Sequence, residues 1–84
     1  MSIYELIYDK IVKNELLEAF NLLEANKNTI TYADYIYLLS IILIKNNQIL
    51  DAEKIMKNFL ENNFDKQIST LYTFCQTVPN KLEE

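Results

Sequence analysis

Apolar residues recur along the chain at intervals of three and four positions, which is the period of an amphipathic α-helix. Polar breaks at 26–28 and 46–47 interrupt this pattern, and five helical segments can be separated. The chain contains no glycine and one proline, so the tight turns that join β-strands are disfavoured. The pattern predicts an all-α protein with five helices.

Polar side chains indicate where these helices begin. Ser2 and Glu5 have the spacing of a capping box, in which each side chain accepts a backbone N–H of the other residue. Pro79 requires the fifth helix to end before it. For helices two to five, the expected N-caps are Asn14, Thr31, Asn47 and Asp65.

The chain also repeats itself. The segment Asn14–Ala19 aligns with Asn47–Ala52, which lies 33 positions further along the chain. Apolar positions on both sides of the segment align at the same distance, which we call the repeat offset. The predicted organisation is a single domain over 1–79. It comprises a first hairpin over about 2–26, a second over about 31–63, a capping helix over about 65–78 and a frayed tail at 80–84.

This period, with Ala19 and Ala52 just inside the second helix of each pair, resembles the tetratricopeptide repeat over about residues 3–64. The resemblance implies two stacked antiparallel helical hairpins, a fragment of a right-handed solenoid, followed by the capping helix. Ile36, Leu39, Ser40 and Leu43 would then face inwards. The alternative is an unrelated bundle of four or five helices with a coincidental repeat.

A row of tyrosine and aliphatic side chains occurs on the first helix and again on the third. In the repeat family this face lines the concave groove that binds ligands, so the resemblance implies a partner-binding site there. The row comprises Tyr4, Tyr8 and Ile11, then Tyr37, Ile41 and Ile44, flanked by Asp34 and Lys45. Alternatively, the fifth helix covers the row with Ile68, Leu71, Tyr72 and Phe74.

Charge and composition argue against several functions. Twelve acidic residues outnumber eight basic ones, so nucleic acid is not an expected partner. The chain has no histidine, which removes the usual general base and the commonest metal ligand. Its one cysteine, Cys75, is expected in the core. We expect no catalysis, no cofactor and no metal site.

The longest apolar stretch, Tyr35–Ile44, is much shorter than a membrane-spanning helix. The amino terminus lacks the basic and apolar regions of a secretory signal. We therefore expect a cytoplasmic protein that does not insert into a membrane.

These features favour a protein-protein interaction module that sequesters an apolar or amphipathic helix of a partner. Small size, acidity and the apolar row are similar to the chaperones of type III secretion needle subunits, which implies a small chaperone or co-chaperone. A hetero- or homo-oligomer is expected, because two hairpins bury little core. The alternative is a small regulatory or immunity-type subunit with an acidic surface formed by Glu15, Glu18, Asp51, Glu53 and Glu61.

Overall fold

A computed structural model describes residues 1–77, which form five α-helices and no strand. The all-α prediction is confirmed, whereas position 78 of the predicted capping helix and the predicted tail at 80–84 lie outside the described residues. None of the five helices has the length and apolar character needed to cross a bilayer. The helices are α1 (Ile3–Val12), α2 (Leu16–Ala25), α3 (Tyr32–Lys45), α4 (Ile49–Asn62) and α5 (Lys66–Thr77).

Short connections between the helices determine the architecture. Three residues separate α1 from α2, α3 from α4, and α4 from α5, which makes each pair an antiparallel hairpin. The two hairpins α1–α2 and α3–α4 stack through α2 and α3, and α5 packs against α4. The odd-numbered helices consequently run in one direction, and their first turns lie at the same end of the molecule.

Three of the five predicted caps are present. The Ser2 N–H donates to Glu5 Oε1 at 2.9 Å, and the Glu5 N–H donates to Ser2 Oγ at 3.1 Å, which completes the capping box of α1. Thr31 Oγ1 accepts the Asp34 N–H at 3.0 Å, and Asp65 Oδ1 accepts the N–H of the third residue of α5 at 3.0 Å. These bonds satisfy donors that a helix start leaves unpaired.

The predicted caps Asn14 and Asn47 are wrong. The N-caps of α2 and α4 are Glu15 and Gln48, and neither side chain makes a capping hydrogen bond. The two asparagines instead follow the C-caps of the preceding helices, Lys13 and Asn46, with φ of 63° and 64°. This left-handed conformation favours glycine, and asparagine is the next best choice in a chain that has none.

The turns of the two hairpins α1–α2 and α3–α4 have the same backbone hydrogen bonds. The Asn14 N–H donates to Ile11 O at 2.9 Å and the Glu15 N–H donates to Lys10 O at 2.9 Å. In the second hairpin, the corresponding bonds join Asn47 to Ile44 at 3.1 Å and Gln48 to Leu43 at 2.8 Å. This is the Schellman arrangement, and its recurrence at the repeat offset shows that the sequence repeat is also a structural repeat.

The core consists of two clusters that share α3. The first joins α1, α2 and α3, and its buried members are Ile7, Ile11, Ala19, Leu23, Leu38 and Ile42. The second joins α3, α4 and α5, and its buried members are Ile36, Ala52, Met56, Phe59, Ile68 and Cys75. Ala19 and Ala52 are fully buried at equivalent positions, where a small side chain lets two helices approach closely.

Helix α3 is buried on most sides because it contacts all four other helices. Of its predicted inward face, Ile36 and Ser40 are buried, whereas Leu39 and Leu43 are only half-buried. The Ser40 hydroxyl is satisfied within the helix, since it donates to Ile36 O at 2.7 Å. The sequence pattern did not identify the two remaining buried residues of this helix, Leu38 and Ile42.

Candidate functional site

The predicted row begins with two tyrosines on α1. Tyr4 and Tyr8 lie one helical turn apart, and their rings stack with centroids 6.4 Å apart and planes 5° from parallel. Tyr4 is half-buried against the first core cluster, whereas Tyr8 remains 43% exposed. The pair therefore places two parallel aromatic rings next to each other on α1, one of them exposed.

Tyr37 continues this surface from α3 onto α5. It is half-buried at the margin of the second core cluster and lines a shallow cavity of about 440 Å³. The apolar walls contributed by α5 are Leu71 and Phe74, and Phe74 is 56% exposed. We call Tyr4, Tyr8, Tyr37, Leu71 and Phe74 the odd-helix surface, since all five belong to α1, α3 or α5.

Helix α5 borders the odd-helix surface and does not cover its α1 part. Among residues 1–77, α5 approaches the backbone of α3 and α4, and it makes no close backbone approach to α1. Its inward side chains Ile68 and Tyr72 pack in or against the second core cluster. The alternative that α5 covers the row therefore does not hold for Tyr4 and Tyr8, whereas α5 does pack beside Tyr37 and Ile44 of α3.

One predicted site residue is removed from the surface. Ile11 is 1% exposed and belongs to the first core cluster, so the prediction that it contacts a partner is wrong. With about 100° of rotation per residue, Ile11 lies about 40° from the buried Ile7 and about 60° from Tyr8. Ile41 and Ile44 are half-buried and pack against the first and second clusters respectively.

The two predicted flanking charges lie at opposite ends of α3. Asp34 is in the first turn and half-buried, and Lys45 is in the last turn and exposed. At about 1.5 Å per residue, their backbones are about 16 Å apart along the helix axis. They can therefore contact opposite margins of a segment that crosses α3.

Three contributors from α5 and its N-cap, Asp65, Leu71 and Phe74, are not among the predicted partner-binding residues, because the sequence pattern assigned Asp65 to a helix cap and Leu71 and Phe74 to a covering helix. A second application of the repeat offset would have found Phe74, because Tyr8, Ile41 and Phe74 are equally spaced along the chain at that offset. The alignment over residues 3–64 stops before the fifth helix. The fifth helix thus contributes Phe74 to the surface at the position that Tyr8 has on the first helix.

Burial and neighbouring charges act on the tyrosine hydroxyls of this surface. Burial, and then the proximity of Tyr37, Asp34, Tyr8 and Asp65, raises the pKa of Tyr4 to about 12. Burial also raises the pKa of Tyr37, and Tyr8 and Asp65 raise it further. These hydroxyls remain protonated at neutral pH, where they can both donate and accept hydrogen bonds.

A second apolar cavity, of about 400 Å³, lies between the start of α2 and the end of α3. Its apolar walls are Leu16, Leu17, Phe20, Leu39, Ile42 and Leu43. No group of three or more His, Cys, Asp or Glu side chains within residues 1–77 is placed to hold a metal ion.

Fold and surface together define a small all-helical protein of two stacked hairpins and a fifth helix, with tyrosines along its odd-numbered helices. Comparison with protein-family models, curated proteins and solved structures found no match to this chain. The resemblance to the tetratricopeptide repeat therefore rests on the internal repeat, and it stays a prediction.

Proposed function

We propose that this protein is a binding module that holds an apolar or amphipathic helix of a partner protein against the odd-helix surface. The observation that supports this proposal is the exposure of aromatic side chains along one continuous surface. Tyr8 and Phe74 are exposed, and Tyr37 lies between their helices. A large apolar surface of this kind is typical of protein-protein interaction sites.

The chemistry of the surface suits the apolar face of a helix. Tyrosine combines a large apolar ring with a polar hydroxyl, and it is enriched in the centres of protein interfaces. A partner helix would place anchors at i, i+3 or i+4 and i+7 on these rings. Within this proposal, the specific role is that of a small cytosolic chaperone or co-chaperone similar to those of type III secretion.

Other exposed apolar side chains support an assembly rather than an isolated chain. Leu17, Phe20 and Leu50 are exposed on α2 and α4, outside the odd-helix surface. In a chain of 84 residues, the core alone offers limited stability. A partner subunit or a second copy that covers these exposed side chains would add buried apolar area. Sedimentation of the purified chain at several concentrations measures whether it self-associates.

The decisive experiment places a charge in the middle of the surface. Tyr37→Asp would be compared with wild type by co-purification from the native host and then by titration with the purified partner helix. We expect binding to weaken at least tenfold, because a carboxylate buried against an apolar helix loses its hydration. Binding that is unchanged by Tyr37→Asp would refute the assignment of this surface.

Tyr32→Asp is the matched control for that experiment. Tyr32 lies on the same helix and is exposed, whereas Tyr37 is half-buried, and the ring of Tyr32 packs near Tyr35 and Phe59 rather than on the odd-helix surface. We expect this variant to bind like wild type. Circular dichroism of both variants checks that helicity is retained.

The alternative proposal is a regulatory or immunity-type subunit that binds through its acidic residues. Two of the carboxylates that would form such a surface, Glu15 and Glu18, lie 3.3 and 3.4 Å from Lys10 Nζ. Part of the acidic charge is therefore compensated within the chain, which supports the apolar surface as the binding site. Salt distinguishes the two proposals, because only a charged interface weakens steeply with ionic strength.

A further inference from the structure

Carboxylates are concentrated at one end of the odd-helix surface. Glu5 lies in the first turn of α1, Asp34 lies in the first turn of α3, and Asp65 is the residue that caps α5. The odd-numbered helices run in the same direction, so their first turns share one end of the molecule. Among the caps and first turns of these three helices, Lys66 is the basic side chain, which leaves three carboxylates against one ammonium group.

These carboxylates lie beside the tyrosines. Glu5 lines a shallow cavity together with Tyr4 and Tyr8. The charges of Asp34, on α3, and of Asp65, at the N-cap of α5, both contribute to raising the pKa of the Tyr4 hydroxyl on α1. The acidic groups therefore border the apolar surface along three successive helices.

The opposite end of the surface has a different charge. Lys45 is exposed in the last turn of α3. On α1, the lysines near the last turn are already paired: Lys13 with Asp9 at 3.0 Å, and Lys10 with Glu15 at 3.3 Å. The apolar surface thus has an acidic margin at the first turns of its helices, and within residues 1–77 the last turns of α1 and α3 do not form a matching one.

From this arrangement we infer that the partner helix crosses α1, α3 and α5 and carries Lys or Arg side chains along one margin of its apolar face, over Glu5, Asp34 and Asp65. This inference rests on the proposed function and specifies the chemistry of the partner. Opposite charges along a shared margin accelerate association and select the orientation in which the helix binds. The partner is therefore an amphipathic helix with a basic edge.

Helix capping explains why acidic residues occur at two of these positions, since Glu5 and Asp65 both accept backbone N–H groups. Capping does not remove their charge, however, and the carboxylate of Asp34 is not the acceptor in the cap of α3, where Thr31 has that role. The negative charge of these carboxylates therefore acts on any partner segment that lies on the neighbouring tyrosines.

The test uses three designed helical peptides with one apolar face and with Lys, Gln or Glu along one margin. Their affinities would be measured by fluorescence anisotropy at about 0.01 M ionic strength, where charges act over tens of ångströms. We expect the Lys peptide to bind at least tenfold more tightly than the Glu peptide, with the Gln peptide between them. Raising the salt concentration should reduce this difference.

Two protein variants locate the source of the preference. Asp34→Asn with Asp65→Asn removes two charges from the margin, and asparagine at position 65 can still cap α5. The control, Asp51→Asn with Glu61→Gln, removes two charges from α4. We expect the first variant to lose most of the preference for the Lys peptide, and the control to retain it.

The outcomes separate this inference from the proposed function. If the Lys, Gln and Glu peptides bind with equal affinity, and Tyr37→Asp weakens the binding of all three, the inference of a basic edge is wrong and the proposed binding surface still holds. A preference that both double variants reduce equally would also overturn it, because the overall charge would then be responsible. If none of the three peptides binds, both proposals are contradicted.

Discussion

Asn14 and Asn47 occupy equivalent positions of the repeat and have the same backbone conformation, with φ of 63° and 64°. Each follows the C-cap of the first helix of a hairpin. The next residue along the chain donates its N–H to the carbonyl five positions before it. The turn, rather than a side-chain cap, therefore defines where the second helix of each hairpin starts.

We predict that alanine at either position destabilises the fold. Asn14→Ala or Asn47→Ala should lower the free energy of unfolding by about 1 kcal/mol, because a Cβ is disfavoured at positive φ and the alanine side chain, unlike that of asparagine, cannot offset this cost with a local hydrogen bond. Glycine at the same positions should not lower it. Urea unfolding followed by circular dichroism measures both changes.

Asn58→Ala provides the control for these turn variants. Asn58 is exposed within α4, where alanine has the higher helix propensity, so its stability should be equal to or slightly above that of wild type. A loss at position 58 as large as at 14 and 47 would show that the effect does not come from the left-handed conformation.

The buried alanines set the distance between helices. Ala52→Leu should lower the free energy of unfolding by about 1–3 kcal/mol, because the larger side chain has no space in the second core cluster. Ala25→Leu, at the exposed end of α2, should have little effect. Thermal unfolding of both variants provides the comparison, and equal melting temperatures would contradict close packing at position 52.

A tyrosine on α3 is joined to a carboxylate on α2. The Tyr35 hydroxyl donates to Glu24 Oε2 at 2.6 Å, and Lys27 Nζ lies 5.5 Å from the centre of the Tyr35 ring. Tyr35→Phe should lower the free energy of unfolding by about 1 kcal/mol, since the hydrogen bond to a charged acceptor is lost. Tyr32→Phe removes an exposed hydroxyl from the same helix and should leave stability unchanged.

Alkaline pH should destabilise the protein through the tyrosines whose pKa is raised, Tyr4, Tyr35 and Tyr37. Burial is the main cause that raises the pKa of Tyr4 and of Tyr35 to about 12, from an ordinary value of 10.0. The folded chain then retains protons that the unfolded chain releases. The stability that results is fully present below pH 10 and is lost as the pH rises towards 12.

Urea unfolding at a series of alkaline pH values measures this loss. Tyr4→Phe with Tyr35→Phe should make stability fall less steeply above pH 10 than in wild type, because two groups that couple protonation to folding are gone. An equally steep fall in this double variant would show that other groups are responsible. Absorbance titration of phenolate in native and urea-unfolded wild type gives an independent measure of the shifted ionisation.

Much of the fold could be predicted because its determinants are local. The five helices follow from apolar periodicity, and Ser2, Thr31 and Asp65 mark three helix starts through bonds within one turn. Asn14 and Asn47 were predicted to cap the helix after each turn, whereas they follow the C-cap of the helix before it. Asparagine is common both as an N-cap and in the left-handed conformation, and the residue type alone does not distinguish these roles.

The burial of Leu38 and Ile42 could not be obtained by copying one repeat onto the other. At the repeat offset they correspond to Glu5 and Asp9 of α1, which are polar. Within residues 1–77, α3 packs against the second helix of another hairpin, α2, and α1 has no such neighbour. Equivalent positions of the two repeats therefore have different three-dimensional neighbours, which explains the change from polar to apolar.

The fully buried thiol of Cys75 makes the docking of α5 measurable. It is the one cysteine of the chain and has no solvent exposure within the second core cluster. A thiol-specific reagent in excess can therefore modify the folded protein only when α5 detaches or the chain unfolds. Comparing the labelling rate with the global unfolding rate tells whether α5, with its part of the odd-helix surface, detaches independently of the two hairpins.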